Sequence, residues 1–230
     1  MIKYNYLIPL ILIVVLLLIV VLFIVTGRTT YYANEKSRFS FKNRFPFELN
    51  YQKNITIVSY FRLFLIFLFA LCVGFPILYA TSFVGASNIA YASVIAIFFV
   101  ASAITSLILF FIRPTHLKLF KIYSTLSIVL TMMANGMVGV FSFTSIYYHF
   151  AFKIVGGFAF FLMAISLALA INPKLSKWDR LEESKNNDGT VNYVRPKISP
   201  LAFSLWINYL TLVSGNMLLL ISLLLTALNY

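Results

Sequence analysis

The chain has 230 residues, of which 61% are apolar and only 10% are charged. Ordinary soluble domains carry roughly 45–50% apolar and about 25% charged residues, so this composition excludes a soluble globular protein. Several apolar runs are about twenty residues long, which is the length that crosses a bilayer. The sequence therefore predicts an all-α polytopic membrane protein, a helical bundle in which residues 1–230 form one integral membrane domain.

The charge balance is strongly basic, with 18 Lys and Arg residues against 6 Asp and Glu residues and a net charge of +12. Because most basic residues lie between the apolar runs, we expect them to contact anionic lipid headgroups, and we expect no nucleic-acid partner. The single cysteine, Cys72, lies inside an apolar run. One cysteine allows neither an intrachain disulfide nor a cysteine-based metal site.

Hydropathy divides the chain into six predicted transmembrane helices. The first is almost pure Leu, Ile and Val and ends in Thr26-Gly27-Arg28. Because it is longer than a signal-peptide core and lacks a small-residue cleavage site, we predict an uncleaved anchor. At 1.5 Å per residue each segment can cross a hydrocarbon layer of roughly 30 Å. The six segments cover residues 7–26, 57–80, 89–112, 122–144, 150–172 and 201–228.

Basic residues fall in alternate loops, which sets the predicted orientation. Loops 27–56, 113–121 and 173–200 together hold 15 of the 18 Lys and Arg residues. Outside them are Lys3, Lys153 and Arg62, the last just inside the second segment. The positive-inside rule therefore predicts that these three loops are cytoplasmic and that both termini are extracytoplasmic. The expected location is the cell membrane.

The first basic loop alternates basic with aromatic residues. In an extended chain this alternation would place Phe39 with Phe41, and Phe45 with Phe47, on one face. One interpretation is an interfacial hook, with rings at the acyl boundary and basic groups at phosphates. The other is a docking surface for a cytoplasmic protein. The candidate contact residues are Arg38, Phe39, Phe41, Lys42, Arg44, Phe45 and Phe47.

The loop at 173–200 contains a predicted short amphipathic helix. Ser176-Lys177-Trp178-Asp179 has the pattern of a capping box. Trp178 would lie on the apolar side of this helix with Leu175 and Leu181, and Glu182, Glu183 and Lys185 would face water. Residues 187–190, with the sequence Asn-Asp-Gly-Thr, then predict a turn. The helix either lies in the membrane interface or docks on a partner such as a cytoplasmic ATPase subunit.

Polar stripes run along the fourth and sixth segments. Each stripe keeps to one side of its helix at 100° per residue, so it should face protein or water instead of lipid. Interhelical hydrogen bonding and a lined solute path would both satisfy these groups, and we expect Asn135 and Asn208 to face inward. The stripe residues are Ser124, Thr131, Asn135 and Ser142 in the fourth segment, and Ser204, Asn208, Thr211 and Gly215 in the sixth.

Motifs of the common catalytic and cofactor sites are missing from the sequence. None of the six segments contains Asp or Glu, and His116 and His149 are predicted on opposite sides of the membrane. We therefore predict no catalytic, cofactor-binding or metal-binding residues. The favoured hypothesis is a non-enzymatic membrane component of a transport system or larger complex, with membrane or cytoplasmic protein subunits as partners. The alternatives are a self-contained channel or carrier for a small neutral or polar solute and, less favoured, an intramembrane enzyme.

Overall fold

The structure is a computed structural model that describes residues 6–50, 57–83, 86–112, 117–144, 150–172, 182–185, 191–194 and 197–228. Six long helices overlap the six apolar segments, and the other elements are one short helix and a two-stranded hairpin. In chain order the elements are α1 (Leu7–Glu35), α2 (Pro46–Asn50), α3 (Ile57–Phe83), α4 (Ala86–Ile108), α5 (Leu117–Thr144), α6 (Phe150–Ile171), β1 (Glu182–Lys185), β2 (Val191–Val194) and α7 (Pro200–Leu228).

Four of the long helices have the length and hydropathy to cross a membrane. They are α1, the stretch Leu119–Thr144 of α5, α6 and α7. In α3 and α4, the apolar stretches found within the described residues are shorter, Ile57–Phe69 and Ser93–Ile108. Because a span needs about twenty apolar residues, the four long helices make the chain an integral membrane protein.

Helix α7 lies at the centre of the bundle. It contacts all six other helices, and its buried residues extend from Leu201 near its start to Leu223 near its end. Helix α5 packs against α4 and α6 as well as α7. The α5–α6 contact is close because Gly156 lies beside the α5 backbone, where an added Cβ would be 3.3 Å from the Gly139 carbonyl oxygen.

Helix α1 lies at the periphery of the bundle. It contacts α2, α3 and α7, and its buried positions in the span include Leu16 and Ile19. Leu17, Leu18 and Val21 are all more than half exposed. Such an apolar surface is compatible with hydrocarbon, so this side of the helix suits contact with lipid.

The end of α1 differs from the prediction, because residues 27–35 are helical and not part of a loop. Threonine hydroxyls bond to carbonyls one turn earlier in the helix, as in Thr26 to the Leu22 oxygen at 2.7 Å and Thr30 to the Thr26 oxygen at 2.5 Å. A Thr-Gly-Arg sequence therefore lies inside the helix. The helix ends at Glu35, and Lys36 follows as its C-cap with a left-handed φ of 53°.

The segment after Lys36 folds back against the bundle, which corrects the prediction for two aromatic residues. Phe39 and Phe45 are only 5% and 6% exposed. The Phe39 ring centroid lies 5.9 Å from that of Trp206, and the Phe45 centroid lies 5.7 Å from that of Phe120. Neither ring can therefore enter the lipid boundary or form a docking surface, since both are covered by the chain itself.

The extended conformation predicted around Phe45 is also wrong, because α2 begins at Pro46 and places Phe47 in a helix. Phe41 and Phe47 are half-buried, and so is Arg44, whose guanidinium bonds to Glu48 at 3.2 Å. Arg38 and Lys42 are exposed. Of the seven predicted contact residues, these last two most clearly remain available to lipid or to a partner.

The third basic loop, at 173–200, contains strands where a helix was predicted. Glu182–Lys185 pairs antiparallel with Val191–Val194, with Glu182 opposite Val194 and Lys185 opposite Val191. The second strand is rich in β-branched and aromatic residues, which favour a β-strand, and its pairing with Glu182–Lys185 takes the place of the predicted helix. Trp178 and the rest of the predicted helix start at 173–181 lie outside the described residues, as does the predicted turn at 187–190.

Candidate functional site

The two predicted polar stripes face the interior of the bundle. Asn135 and Asn208 are 0% and 1% exposed, which confirms that both face inward. The other stripe residues are also buried, namely Ser124, Thr131, Ser142, Ser204, Thr211 and Gly215. We call these residues, together with the serines of α4, α5, α6 and α7 that hydrogen-bond around them, the polar interface.

Hydrogen bonds link α4, α5 and α7 at one level of the polar interface. The hydroxyl oxygens of Ser106 and Ser127 are 2.5 Å apart, and Asn208 Nδ2 donates to Ser127 Oγ at 2.8 Å. The Tyr209 hydroxyl donates to the Ser106 carbonyl oxygen. Three helices are therefore joined through a single pair of serines, which the sequence stripes did not include.

Further contacts extend the polar interface along the bundle. Ser102 and Thr131 place their hydroxyl oxygens 2.5 Å apart between α4 and α5. Ser166 of α6 donates to Thr211 Oγ1 at 3.4 Å, and Ser142 lies 3.3 Å from Ser222 of α7. The Ser124 hydroxyl instead bonds within its own helix, to the Phe120 oxygen. Ser102 of α4 was missed because it lies between two alanines and does not form part of a long stripe.

Gly215 allows the closest approach in the polar interface. A Cβ added there would lie 1.8 Å from Asn135 Oδ1, so no side chain fits without displacing the amide. The amide oxygen therefore faces the α-hydrogens of Gly215, an arrangement suited to a weak Cα–H···O contact. A glycine in the middle of this transmembrane helix thus has a packing role.

Two asparagines add unsatisfied polar groups to the same helices. Within the described part of the chain, neither amide atom of Asn135 or of Asn216 has a hydrogen-bond partner, and both side chains are fully buried. A buried unpaired polar group costs about 1–3 kcal/mol. These two amides are therefore the groups most able to bind a polar atom that reaches the bundle interior.

Arg62 of α3 is fully buried, although the sequence marked it only as a basic residue near a helix end. Its Nη1 donates to the Phe23 carbonyl oxygen at 3.0 Å and to Thr26 Oγ1 at 3.3 Å. Its guanidinium carbon lies 4.3 Å from the Phe23 ring centroid. A Cβ on Gly27 would lie 2.5 Å from Nη1, so the missing side chain at Gly27 leaves room for the guanidinium beside α1.

A cavity of about 340 Å³ lies between α1, α3, α7 and the end of α4. All of its lining residues are apolar or aromatic: Ile19, Val20, Phe23, Ile24, Phe41, Leu65, Ile66, Phe69, Leu107, Phe110, Trp206, Tyr209, Leu210 and Val213. We call it the apolar cavity. It was not predicted, because it depends on how four helices pack together.

The two polar groups in this lining are bonded to the protein. Trp206 Nε1 donates to the Arg44 carbonyl oxygen at 2.8 Å, and the Tyr209 hydroxyl donates to the Ser106 carbonyl oxygen. Buried tryptophan and tyrosine normally find such partners for their polar atoms. The cavity therefore presents hydrocarbon and ring surfaces to any occupant.

Comparisons with known proteins give no relative from which a function could be carried over. No family model, curated protein or solved structure matches the chain. Among the described residues, no group of three or more His, Cys, Asp or Glu side chains could hold a metal ion. The function must therefore be argued from the polar interface, the apolar cavity and the basic segments.

Proposed function

We propose that the chain is a six-span, non-enzymatic membrane protein that serves as the membrane component of a larger complex or transport system, with both termini extracytoplasmic. The observation that carries this proposal is that polar side chains of four helices hydrogen-bond to one another across the bundle. Side chains used in this way fix helix packing and leave little polar surface for a solute path.

The positions of the basic segments support the proposed orientation. Phe45, Leu109, Phe120 and Leu201 form one buried cluster. These residues adjoin the three basic loops, so all three loops emerge at the same end of the bundle, which we call the basic end. Positive charge gathered at one end is the pattern expected of the cytoplasmic side.

The β1–β2 hairpin supports docking of a partner. In the part of the chain that the structure describes, the backbone of the hairpin packs against none of the helices. A two-stranded hairpin is marginally stable in water by itself. A protein partner that adds a strand or covers one face would stabilise it, and the predicted cytoplasmic position of this loop favours a cytoplasmic subunit.

Purification of the tagged chain from its native membrane in mild detergent tests this proposal. We expect stoichiometric protein partners, and we expect Asn192→Pro to release the cytoplasmic one because proline removes a donor from the strand. Lys185→Gln is the matched control, since it keeps the strand intact. Purification of the chain alone, together with solute flux through it in liposomes, would contradict the proposal.

The unpaired amides of Asn135 and Asn216 favour the second candidate, a carrier or channel for a small polar solute lined by α5 and α7. Flux measurements separate the two functions. A carrier would lose flux in Asn135→Leu and Asn216→Leu while retaining its fold. A membrane component would show no flux before or after either substitution.

Labelling of a single cysteine tests the orientation. In a Cys72→Ser background, Ser184→Cys places a thiol in β1. We expect no modification by an impermeant thiol reagent added outside intact cells and full modification after the cells are opened. Labelling in intact cells would show that residues 173–200 are extracytoplasmic and would overturn the proposed topology.

A further inference from the structure

We propose that the apolar cavity binds one acyl chain of an anionic membrane phospholipid, with Arg28 at the headgroup. This inference is independent of the function proposed above, because it uses the opposite side of α7. Ligand sites between bundle helices are typically 300–1,000 Å³ and mostly apolar. The cavity, at about 340 Å³, lies within this range and is more than twice the roughly 150 Å³ that holds a benzene molecule in an engineered apolar site.

The position of the cavity opening indicates that its ligand enters from the lipid bilayer. Leu210 lines the cavity and is also 65% exposed, so the cavity reaches the lateral surface of the bundle. Neighbouring surface positions on α1, such as Leu17 and Val21, are exposed and apolar. A lateral opening among such residues faces bilayer hydrocarbon, from which an acyl chain can enter without crossing water.

The lining excludes a polar solute and suits a hydrocarbon chain. The polar atoms of Trp206 and Tyr209 are bonded to backbone carbonyls, so a polar ligand would lose its hydration without gaining a hydrogen bond there. A methylene chain has no such loss and gains contact with the lining. Burial of the chain is favourable because it restores the van der Waals contacts that the lining side chains of an empty cavity lack.

Basic groups at the same end of the cavity indicate an anionic headgroup. The exposed Arg28 lies one helical turn beyond Ile24, a lining residue, and its guanidinium carbon is 6.0 Å from the ring centroid of Phe41, another lining residue. Arg62 lies over the ring of Phe23, which also lines the cavity. Of these two arginines, Arg62 is fully buried and Arg28 is exposed, so Arg28 is the one open to a negatively charged headgroup.

Fluorescence quenching by brominated lipid can test the site, because Trp206 lies in the cavity wall. Trp178→Phe leaves Trp206 as the single tryptophan of the two in the chain. This variant is reconstituted in phosphatidylcholine vesicles with a minor fraction of 6,7-dibromostearoyl phosphatidylglycerol. A parallel sample carries the same fraction of dibromostearoyl phosphatidylcholine in a phosphatidylglycerol background.

We expect brominated phosphatidylglycerol to occupy the site about fivefold more strongly than brominated phosphatidylcholine, the factor expected for one basic side chain at an anionic group. Val20→Phe should weaken the quenching by narrowing the cavity. Val21→Phe, the same substitution on the exposed neighbour, should leave it unchanged. Arg28→Gln should remove the preference, whereas Arg38→Gln, at another exposed arginine, should retain it.

Weak quenching by both lipids, unaltered by Val20→Phe, would overturn the site. Strong quenching that is equal for the two lipids but weaker in Val20→Phe would overturn the anionic assignment. Disulfide formation between two copies of a Leu210→Cys variant in the Cys72→Ser background would show that a second copy covers the opening, which would also overturn the proposal. The comparison of the two brominated lipids uses the wild-type cavity lining, so it tests the anionic assignment even if Val20→Phe fails to fold.

Discussion

The two sides of α7 are held by different forces. Towards α4, α5 and α6, the helix is joined by side-chain hydrogen bonds such as Asn208 to Ser127 and Ser166 to Thr211. Towards α1 and α3, it meets apolar side chains and the apolar cavity, and α1 is fastened to α3 by Arg62. Interhelical hydrogen bonds and small residues bring helix backbones close together, whereas the large apolar side chains of α1 and α3 hold them further apart. The difference explains why the cavity lies on the α1–α3 side.

The largest expected effect comes from filling the tightest point of the polar interface. Gly215→Val should lower the free energy of unfolding by about 3 kcal/mol, at the upper end for overpacking, because its side chain collides with Asn135. Unfolding in mixed detergent micelles measures this change. Gly157→Val is the control, since a Cβ there meets no atom within 4 Å, and it should cost little or nothing.

A rescue variant sharpens this prediction. If the collision with the amide causes the loss, Asn135→Ala should restore part of the stability in the Gly215→Val background. Equal losses in Gly215→Val and Gly157→Val would mean that α7 does not approach α5 closely at this level. The contrast between the two sides of α7 would then be wrong.

The next effect concerns the α1–α3 side. Arg62→Met should lower the unfolding free energy by about 2 kcal/mol, because hydrogen bonds from a charged group to the Phe23 oxygen and Thr26 are lost. Gly27→Ala should have a similar effect by displacing the guanidinium. Since both substitutions break one contact, the double variant should lose less than the sum of the two single losses. Strict additivity would show that Gly27 and Arg62 act separately.

The smallest effect is expected for a single interhelical hydrogen bond. Asn208→Leu and Ser127→Ala form a double-mutant cycle with a coupling free energy of about 0.6 kcal/mol, the average for such bonds in a membrane protein. The same unfolding measurement yields this coupling. A coupling near zero would show that the Asn208–Ser127 bond does not hold α7 against α5.

The helical segments were the part of the structure that the sequence predicted best, because long apolar runs admit few alternatives to a helix in a bilayer. The predicted sixth segment, 201–228, differs from α7 by one residue at its start. The error at α1 was larger, since its helix continues for nine residues beyond Thr26 to Glu35. Hydropathy marks where apolar residues end, and polar residues can extend the same helix.

The interior contacts were only partly predictable. Helical periodicity placed Asn135, Asn208 and Gly215 on buried faces, because a polar stripe in lipid must turn inward. It could not identify their partners, since Ser106 and Ser127 become neighbours only after α4 and α5 pack together. Arg62 was missed for a related reason, because its partner Phe23 lies 39 residues earlier in the chain and offers a backbone oxygen that no sequence pattern reveals.

Accessibility of the polar interface tests the central claim, which is that its side chains pack helices together and do not line a path. Asn135→Cys and Asn208→Cys are made in the Cys72→Ser background and exposed to a small hydrophilic thiol reagent from both sides of the membrane. Lys42→Cys, at an exposed position, is the reactive control, and Val21→Cys is the control facing lipid. We expect both buried positions to remain unmodified, as at Val21. Modification at positions 135 and 208 at rates near that of Lys42→Cys would contradict the claim and establish a water-filled path.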